Sequence, residues 1–479
     1  MKTSSMPGSA PRARALRHLM MASLVAALLT TAGCSKDSLL TVEDPDVATP
    51  GSLADPAVLP TLRASVISDL QVAMGAGGED GVITLGGLLA DEFIWAETFP
   101  TRFEMDVRST NPINGTLDGI YRSLQRARAT AERVERTYGQ VQPTNPLRAE
   151  VQALAGFTYV MLAEMYCNGI PLSTFDVDAG TAELGEPLSN QALYTRAVAK
   201  FDSALAQIGT PATPTADQTR ILNLTRLGRG RALLNLGRFA DAAAAVAAVP
   251  TSYRYNLFHS ENSGRQNNGV FLPTQNFPRF SVGDREGTNG LPFFTDGATD
   301  PRVFSPRGSG VAFFPRVGAD NITLMNVQTK YMNRSATIVL ADGVEARLIE
   351  AENLQRTGGD YLTALNTLRA ALPTLITNAA LPAAFNPPAI AALPALARPA
   401  NAPAEVDQVF KERAYWMFLT GHRLGDLRRL VRQYGRNAEA VFPTGTFHKG
   451  GAYGVDVNYP VPFIETNNSK FVGCIDRNA

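Results

Sequence analysis

Residues 412–430 read Glu-Arg-Ala-Tyr-Trp-Met-Phe-Leu-Thr-Gly-His-Arg-Leu-Gly-Asp-Leu-Arg-Arg-Leu, and no other stretch says more about the fold. Apolar residues recur at helical spacing on both sides of Gly421, which predicts two helices with a break at this glycine. Glycine can adopt the positive φ that ends a helix, because it has no Cβ to clash. Charged and imidazole side chains are dense beside the apolar stripe: Glu412, Arg413, His422, Arg423, Asp426, Arg428 and Arg429.

These charges allow two interpretations. Burying a charge is costly unless the charge is paired, which favours a fixed structural clasp. The alternative is a catalytic site, since perturbed ionisable groups cluster at such sites. We expect the clasp, which would join the last helices to the rest of the scaffold and would not touch a ligand. Its predicted members are Glu412, Arg413, His422, Arg423 and Asp426.

Four short motifs follow one another in the last quarter of the chain. They are Glu412-Arg413, Gly421-His422-Arg423, Asp426-Leu427-Arg428-Arg429 and Tyr459-Pro460-Val461-Pro462. This order resembles the C-terminal signature of the SusD/RagB family, which are nutrient-binding lipoproteins of the outer membrane. The resemblance implies a mainly α fold, in which tetratricopeptide-like hairpins form a right-handed scaffold with long irregular loop insertions and little β structure.

Helical periodicity supports this fold class along the rest of the chain. Residues 226–248 and 346–371 each read as a helix, a glycine-containing turn, an aromatic residue and an Ala/Leu-rich helix, which resembles the tetratricopeptide pattern. Repeated proline predicts no regular helix in residues 373–404. Further helices are predicted over residues 65–74, 117–138, 150–166, 190–208, 218–249 and 344–371.

The N-terminus reads as a lipoprotein signal peptide over residues 1–33. A basic segment precedes an apolar run at 19–29, which is shorter than the roughly 20 residues of a spanning helix. Thr31-Ala32-Gly33-Cys34 resembles a lipobox, so we expect Cys34 to be lipidated; the alternative is an ordinary signal peptide with an incidental cysteine. The resemblance further implies an outer-membrane location that faces the cell exterior.

We expect four regions in the chain. After the signal peptide come a tether at 34–60, a SusD-like N-terminal helical region at 61–250 and a SusD-like C-terminal region at 251–479. The last region would contain a loop insertion at 251–334 and an Ala/Pro-rich loop at 373–404.

Charge and cysteine content narrow the possible partners and bonds. Residues 1–33 hold four Lys/Arg and no acid, which leaves 40 Lys/Arg against 44 Asp/Glu and a net charge of −4. Without a basic stripe, nucleic acid is not an expected partner. Cys167 and Cys474 remain in a chain that we expect to be exported, and we predict a disulfide between them. Two separate buried thiols are the alternative.

No pattern of residues predicts catalysis, a metal site or a cofactor. The mature chain has three histidines without a second His or Cys at metal-ligand spacing, and it lacks a nucleophile elbow and a phosphate loop. Asp91 and Glu92 are adjacent carboxylates, but neighbouring side chains do not face each other on a helix. We expect surface or capping roles for them.

A sugar-binding surface needs flat aromatic faces together with amides, Arg and carboxylates. Trp95 lies where a predicted helix runs into a loop before Pro100, a place that resembles the ligand-facing loop of the family. Trp416 is expected in the core, and for Trp95 core packing is the alternative. The other candidate ligand-binding residues are Phe99 and Arg102 beside Trp95, and Asn267 and Phe294 in the loop insertion.

The leading functional hypothesis is capture of a nutrient, with an oligosaccharide as the expected ligand, without enzymatic activity. As the resemblance implies, the nutrient would be delivered to a TonB-dependent outer-membrane transporter. The alternative is a lipid-anchored tetratricopeptide-type scaffold for a protein partner in the cell envelope. A glycan-cleaving enzyme is the least favoured, because the acid and base pair is missing.

Overall fold

Helices build most of this protein, as the sequence predicts. The computed structural model describes residues 55–479 apart from 76, 79, 177–179, 377–380 and 382. The α-helices of the described residues are α1 (Leu59–Gly75), α2 (Val82–Leu89), α3 (Pro100–Asp106), α4 (Gly115–Val141), α5 (Pro146–Met165), α6 (Asn190–Ile208), α7 (Ala216–Asn235), α8 (Phe239–Val246), α9 (Phe293–Gly297), α10 (Gly343–Thr357), α11 (Tyr361–Leu375), α12 (Ala402–Trp416) and α13 (Arg423–Tyr434).

Strands are short and pair only as two-stranded antiparallel ribbons in the described residues. The ribbon β1–β7 matters most for the site, and in its register Trp95 lies opposite Phe280. The other ribbons are β2–β5, β3–β4 and β6–β8. The strand bounds are β1 (Phe93–Trp95), β2 (Ile170–Pro171), β3 (Thr174–Asp176), β4 (Thr181–Glu183), β5 (Pro187–Leu188), β6 (Arg254–Leu257), β7 (Phe280–Val282) and β8 (Ile338–Asp342).

Helix α5 lies at the centre of the main apolar core. All of its residues from Ala149 to Met165 are buried, and it packs against α4, α6 and α7. Two glycines make this packing possible: a Cβ at Gly156 or at Gly228 would come within 2.7 or 2.3 Å of the Phe201 ring. A larger residue at either position would push the helices apart.

The predicted tetratricopeptide-like hairpins are present. Helix α7 packs against α8, and α10 packs against α11, while α8 also contacts α10. Gly237 adopts a φ of +74° in the first turn, and the Asp360 side chain caps α11 by accepting from the Thr363 N–H. The mainly α fold with such hairpins is therefore confirmed.

Some local predictions were wrong. The stretch before Pro100 is not a helix that runs into a loop: it forms β1, and Pro100 begins α3, since the first position of a helix needs no N–H. Helix α11 continues through Pro373 to Leu375. The missing N–H of Pro373 leaves the Arg369 carbonyl free, and this carbonyl accepts from the Leu393 N–H at 3.1 Å instead.

The described residues from 55 onward belong to one compact unit, with helix α1 beginning at Leu59 inside the expected tether. The expected signal peptide, Cys34 and most of the tether lie outside the described residues. Among the described helices, none is long and apolar enough to cross a membrane.

Candidate functional site

The segment 412–430 forms the predicted helix–break–helix. Helix α12 ends at Trp416 and α13 begins at Arg423. Leu419 and Gly421 have φ values of +53° and +77° in the turn between them. Gly421 therefore takes the left-handed conformation that its sequence position predicts.

The charges of this segment are buried and paired. Arg413 and Arg429 lie 3.1 and 2.8 Å from the same oxygen of Asp426, and Arg429 also binds Glu352. Burial opposes ionisation of Asp426, yet the two guanidinium groups hold its pKa well below the ordinary value. These side chains make a joint between α10, α12 and α13.

The remaining clasp residues each find a partner in another part of the chain. Glu412 binds Arg302 at 2.6 Å and Arg369 at 2.5 Å. The His422 ring lies between Arg231 and Thr420, with Nε2 2.9 Å from the guanidinium and Nδ1 2.8 Å from the hydroxyl. The clasp thus connects the last two helices to α7, α11 and the loop between α9 and β8.

Asp91 and Glu92 correct one expectation. Both side chains are buried rather than on the surface. Asp91 accepts from Arg423 at 2.6 Å, and Glu92 Oε1 accepts the Leu419 N–H at 2.7 Å. Burial raises the pKa of Glu92 to about 8. The turn after α2 places the two carboxylates in the interior, where the clasp segment meets them.

Exposed aromatic faces occur elsewhere, beside the β1–β7 ribbon. Phe99 precedes α3 and is 51% exposed, while Phe277 precedes β7 and is 46% exposed. The Arg279 guanidinium lies between them, 5.2 Å from the Phe99 centroid and 5.6 Å from the Phe277 centroid. We call Phe99, Phe277 and Arg279 the aromatic platform.

Charged side chains on the protein side of the platform hold it in place. Arg102 forms a bidentate pair with Asp80 at 2.8 and 3.0 Å and binds Glu97 at 2.9 Å. The other oxygen of Glu97 lies 3.4 Å from Arg279 Nε. Glu97 is almost fully buried, so it fixes both arginines from the protein side. Arg102 also contacts the Phe99 ring, at 5.6 Å.

Trp95 is close to the platform in sequence, but its ring is covered. Lys449 Nζ lies 3.7 Å from its centroid and also binds Asp320, and Phe103 packs at 5.1 Å. The Trp95 carbonyl lies 3.0 Å from His448 Nε2. Of the two roles weighed from the sequence, the geometry favours packing: Trp95 supports the loop, and the exposed faces are phenylalanines.

A pair of buried carboxyls lies under this loop. Asp106 accepts the Trp95 N–H at 2.7 Å and is hydrogen-bonded to Glu286, which in turn accepts from the Tyr453 hydroxyl at 2.8 Å. Burial raises the pKa of both carboxyls. Two carboxyls in hydrogen-bond contact need a shared proton, so this pair holds the loop in place while it keeps one proton.

The other predicted binding residues are not part of the platform. Asn267 is buried in the loop before the turn at residues 272–276. Phe294 lies in α9, where the Arg307 guanidinium is 4.7 Å from the centroid of its ring. No ring contact or ion pair among the described residues joins either of them to Phe99.

Phe277 and Arg279 were missed by sequence reasoning. They belong to Phe277-Pro278-Arg279-Phe280, an arginine flanked by aromatics directly before a strand. Such a pattern could have marked Phe277 and Arg279 as candidate binding residues. Nothing in the spacing, however, links it to Phe99; the link is the β1–β7 pairing, together with the Ala96 N–H, which donates to the Arg279 carbonyl at 2.7 Å.

Two further observations describe the chemistry of the chain. Among the described residues, no group of three or more His, Cys, Asp and Glu side chains could hold a metal ion.

Cys167 and Cys474 form a disulfide, which ties the end of α5 to the C-terminal segment.

Comparison with known proteins gives a fold. No family model matches the chain, and no curated protein matches its sequence. Solved structures do match: a SusD/RagB family protein from Bacteroides thetaiotaomicron superposes with a TM-score of 0.60 at 14% identity, covering 84% of this chain and 93% of its own. This chain has the SusD-like fold.

Two other proteins with this fold are named for the glycans that they bind. A laminarin-binding SusD-like protein superposes with a TM-score of 0.57 at 15% identity, covering 88% of this chain and 99% of its own. Surface glycan-binding protein A from Bacteroides uniformis does so with a TM-score of 0.60 at 15% identity, with the same coverages. At these identities the SusD-like fold is shared, and binding properties have to be argued from the side chains.

Proposed function

We propose that this protein is a member of the SusD/RagB family that binds an oligosaccharide at the aromatic platform. The observation that carries the proposal is the pair of exposed rings, Phe99 and Phe277, held on either side of Arg279. Sugar rings stack on such faces through their apolar C–H surfaces, and a guanidinium donates to hydroxyls. The glycan-binding neighbours with the same fold support the ligand class.

The platform suits reversible capture. The Phe99 side of the platform is fixed in advance, because Arg102 forms ion pairs with the buried Glu97 and with the partly exposed Asp80. Preorganisation lowers the entropy cost of binding. Two rings and one guanidinium offer only a few contacts, so the affinity is modest and the ligand can leave again. Binding without bond cleavage fits a non-enzymatic role.

Delivery to a TonB-dependent transporter and attachment through Cys34 complete the proposal. The fold shared with SusD/RagB proteins and the lipobox-like Thr31-Ala32-Gly33-Cys34 support it. In this arrangement the lipid holds the protein at the outer membrane, facing the exterior, beside the pore that takes up the ligand.

Glycan-array binding of the wild type, Phe99→Ala and Phe277→Ala tests the ligand claim. Each variant loses one stacking face, worth about 0.5–1.5 kcal/mol, so we expect binding to weaken about 2- to 10-fold. Phe463→Ala is the matched control, because Phe463 is an exposed phenylalanine of another segment. Unchanged binding in both platform variants would exclude this surface.

Purification from detergent-solubilised membranes tests the partner. We expect a large β-barrel transporter to co-purify, and Cys34→Ser to move the protein out of the membrane fraction. Repeated recovery of other envelope proteins without a barrel would favour the lipid-anchored scaffold instead.

A further inference from the structure

A cavity lies away from the platform, at the C-terminal end of α12. Its volume is about 390 Å³, within the range of about 300–1,000 Å³ typical of small-molecule pockets. The β6–β8 ribbon, the end of α11 and the turn after Trp416 form its walls. No platform residue lines it. The polar and aromatic lining residues that matter are Arg254, Lys330, Asp342, Phe304, Tyr331 and Trp416.

The pocket carries an excess of positive charge. Lys330 is exposed to it, and its Nζ donates to the Phe418 carbonyl at 2.6 Å, with no carboxylate in ion-pair distance among the described residues. Arg254 is exposed and lies 3.6 Å from Asp342, which also caps α10. Two cations and one carboxylate therefore line this part of the pocket.

An aromatic wall completes the pocket. Trp416 is 8% exposed, and the Arg302 guanidinium lies 5.0 Å from its ring. Its Nε1 is buried without a hydrogen-bond partner among the described residues. Two cations beside an aromatic ring suit a small cyclic molecule that carries a carboxylate.

We propose that this pocket binds a small sugar acid about one ring in size, with its carboxylate between Lys330 and Arg254 and its body against Trp416. A charge-assisted hydrogen bond to each cation recognises the carboxylate. The turn between α12 and α13 then contributes to a ligand site, although the paired charges of the clasp do not. The site is independent of the platform and of the proposed oligosaccharide ligand.

The chain contains only two tryptophans, which makes the test direct. In a Trp95→Phe background, Trp416 is the sole indole, and its emission reports on the pocket. Titration with glucuronate should give a saturable change that glucose does not produce. Lys330→Met and Arg254→Gln should each weaken glucuronate binding at least about 10-fold, as expected for loss of a charge-assisted hydrogen bond. Lys470→Met changes an exposed lysine that does not line the pocket, and this variant should bind glucuronate as tightly as the Trp95→Phe protein.

Three results would overturn the proposal. They are the absence of a saturable change with glucuronate, equal affinity for glucose, and unchanged affinity in both pocket variants. Arg254→Gln alters an exposed side chain, so it gives a readable result even if Lys330→Met fails to fold. Because the test uses neither an oligosaccharide nor a platform variant, failure here leaves the proposed function standing.

Discussion

Arginine has different surroundings in the clasp and in the aromatic platform. Arg413 and Arg429 are 2% and 1% exposed, and they share Asp426. The Arg279 side chain is 25% exposed and lies between two partly exposed rings, 3.4 Å from Glu97. The contrast indicates that dense, mutually satisfied charge marks an internal joint, whereas the proposed binding surface keeps part of each ring accessible. Mutations should therefore affect stability at one place and binding at the other.

The largest effect should come from breaking the clasp. Asp426→Ala leaves two buried guanidinium groups without their shared carboxylate, and we expect unfolding free energy to fall by about 3–5 kcal/mol. Urea denaturation measures it. Asp241→Ala is the matched control, since the Arg238–Asp241 pair is exposed on both sides and is worth less than about 1 kcal/mol. Equal losses in the two variants would show that the clasp is not acting as a buried network.

Removing the disulfide should affect the same scaffold. Cys167 and Cys474 are 307 residues apart, and linking them restricts the unfolded chain strongly. We expect Cys167→Ser together with Cys474→Ser to lower the unfolding free energy by about 2–4 kcal/mol. Mass spectrometry of the unreduced protein provides the covalent readout. Two free thiols in the wild type would contradict the bond.

Stability should also fall as the pH rises through the range set by Glu92. Its pKa is raised to about 8 in the folded protein, so the folded state keeps a proton that the unfolded state loses above its ordinary pKa. The stabilisation that this proton gives to the folded state is fully present below about pH 4 and is lost towards pH 8. Over that range the unfolding free energy falls by up to about 1.4 kcal/mol per pH unit. Glu92→Gln should flatten the decline measured by urea titration at pH 6, 7 and 8. Glu183→Gln, at an exposed strand position, should leave it unchanged; a parallel decline in Glu92→Gln would exclude this carboxyl as the source.

The smallest stability effect should come from the platform. Phe99→Ala removes an exposed ring, and we expect the unfolding free energy to change by less than about 0.5 kcal/mol while glycan binding weakens. Thermal unfolding and the array readout on one preparation compare the two effects. A large loss of stability would mean that Phe99 is a packing residue, and the contrast with the clasp would disappear.

Local chemistry made much of the scaffold predictable from the sequence. Helical periodicity and the glycine turns indicated the helices and the tetratricopeptide-like hairpins, and Gly421 was recognised because only a residue without a Cβ adopts its positive φ freely. The pairing partners of the clasp charges were not predictable. Glu412, for example, binds Arg302 and Arg369, and no spacing rule connects these positions.

The sequence alone determined the helical class and indicated that the charges at 412–430 belong to an internal clasp, because helix periodicity and the cost of unpaired charge are local arguments. Only the tertiary structure decided which aromatic faces stay exposed. Trp95 looked like the better sugar platform, yet Lys449 and Phe103 cover its ring. Phe99 meets Phe277 and Arg279 only because β1 pairs with β7. Exposure depends on contacts between residues far apart in the chain, and such contacts leave no periodic trace in it.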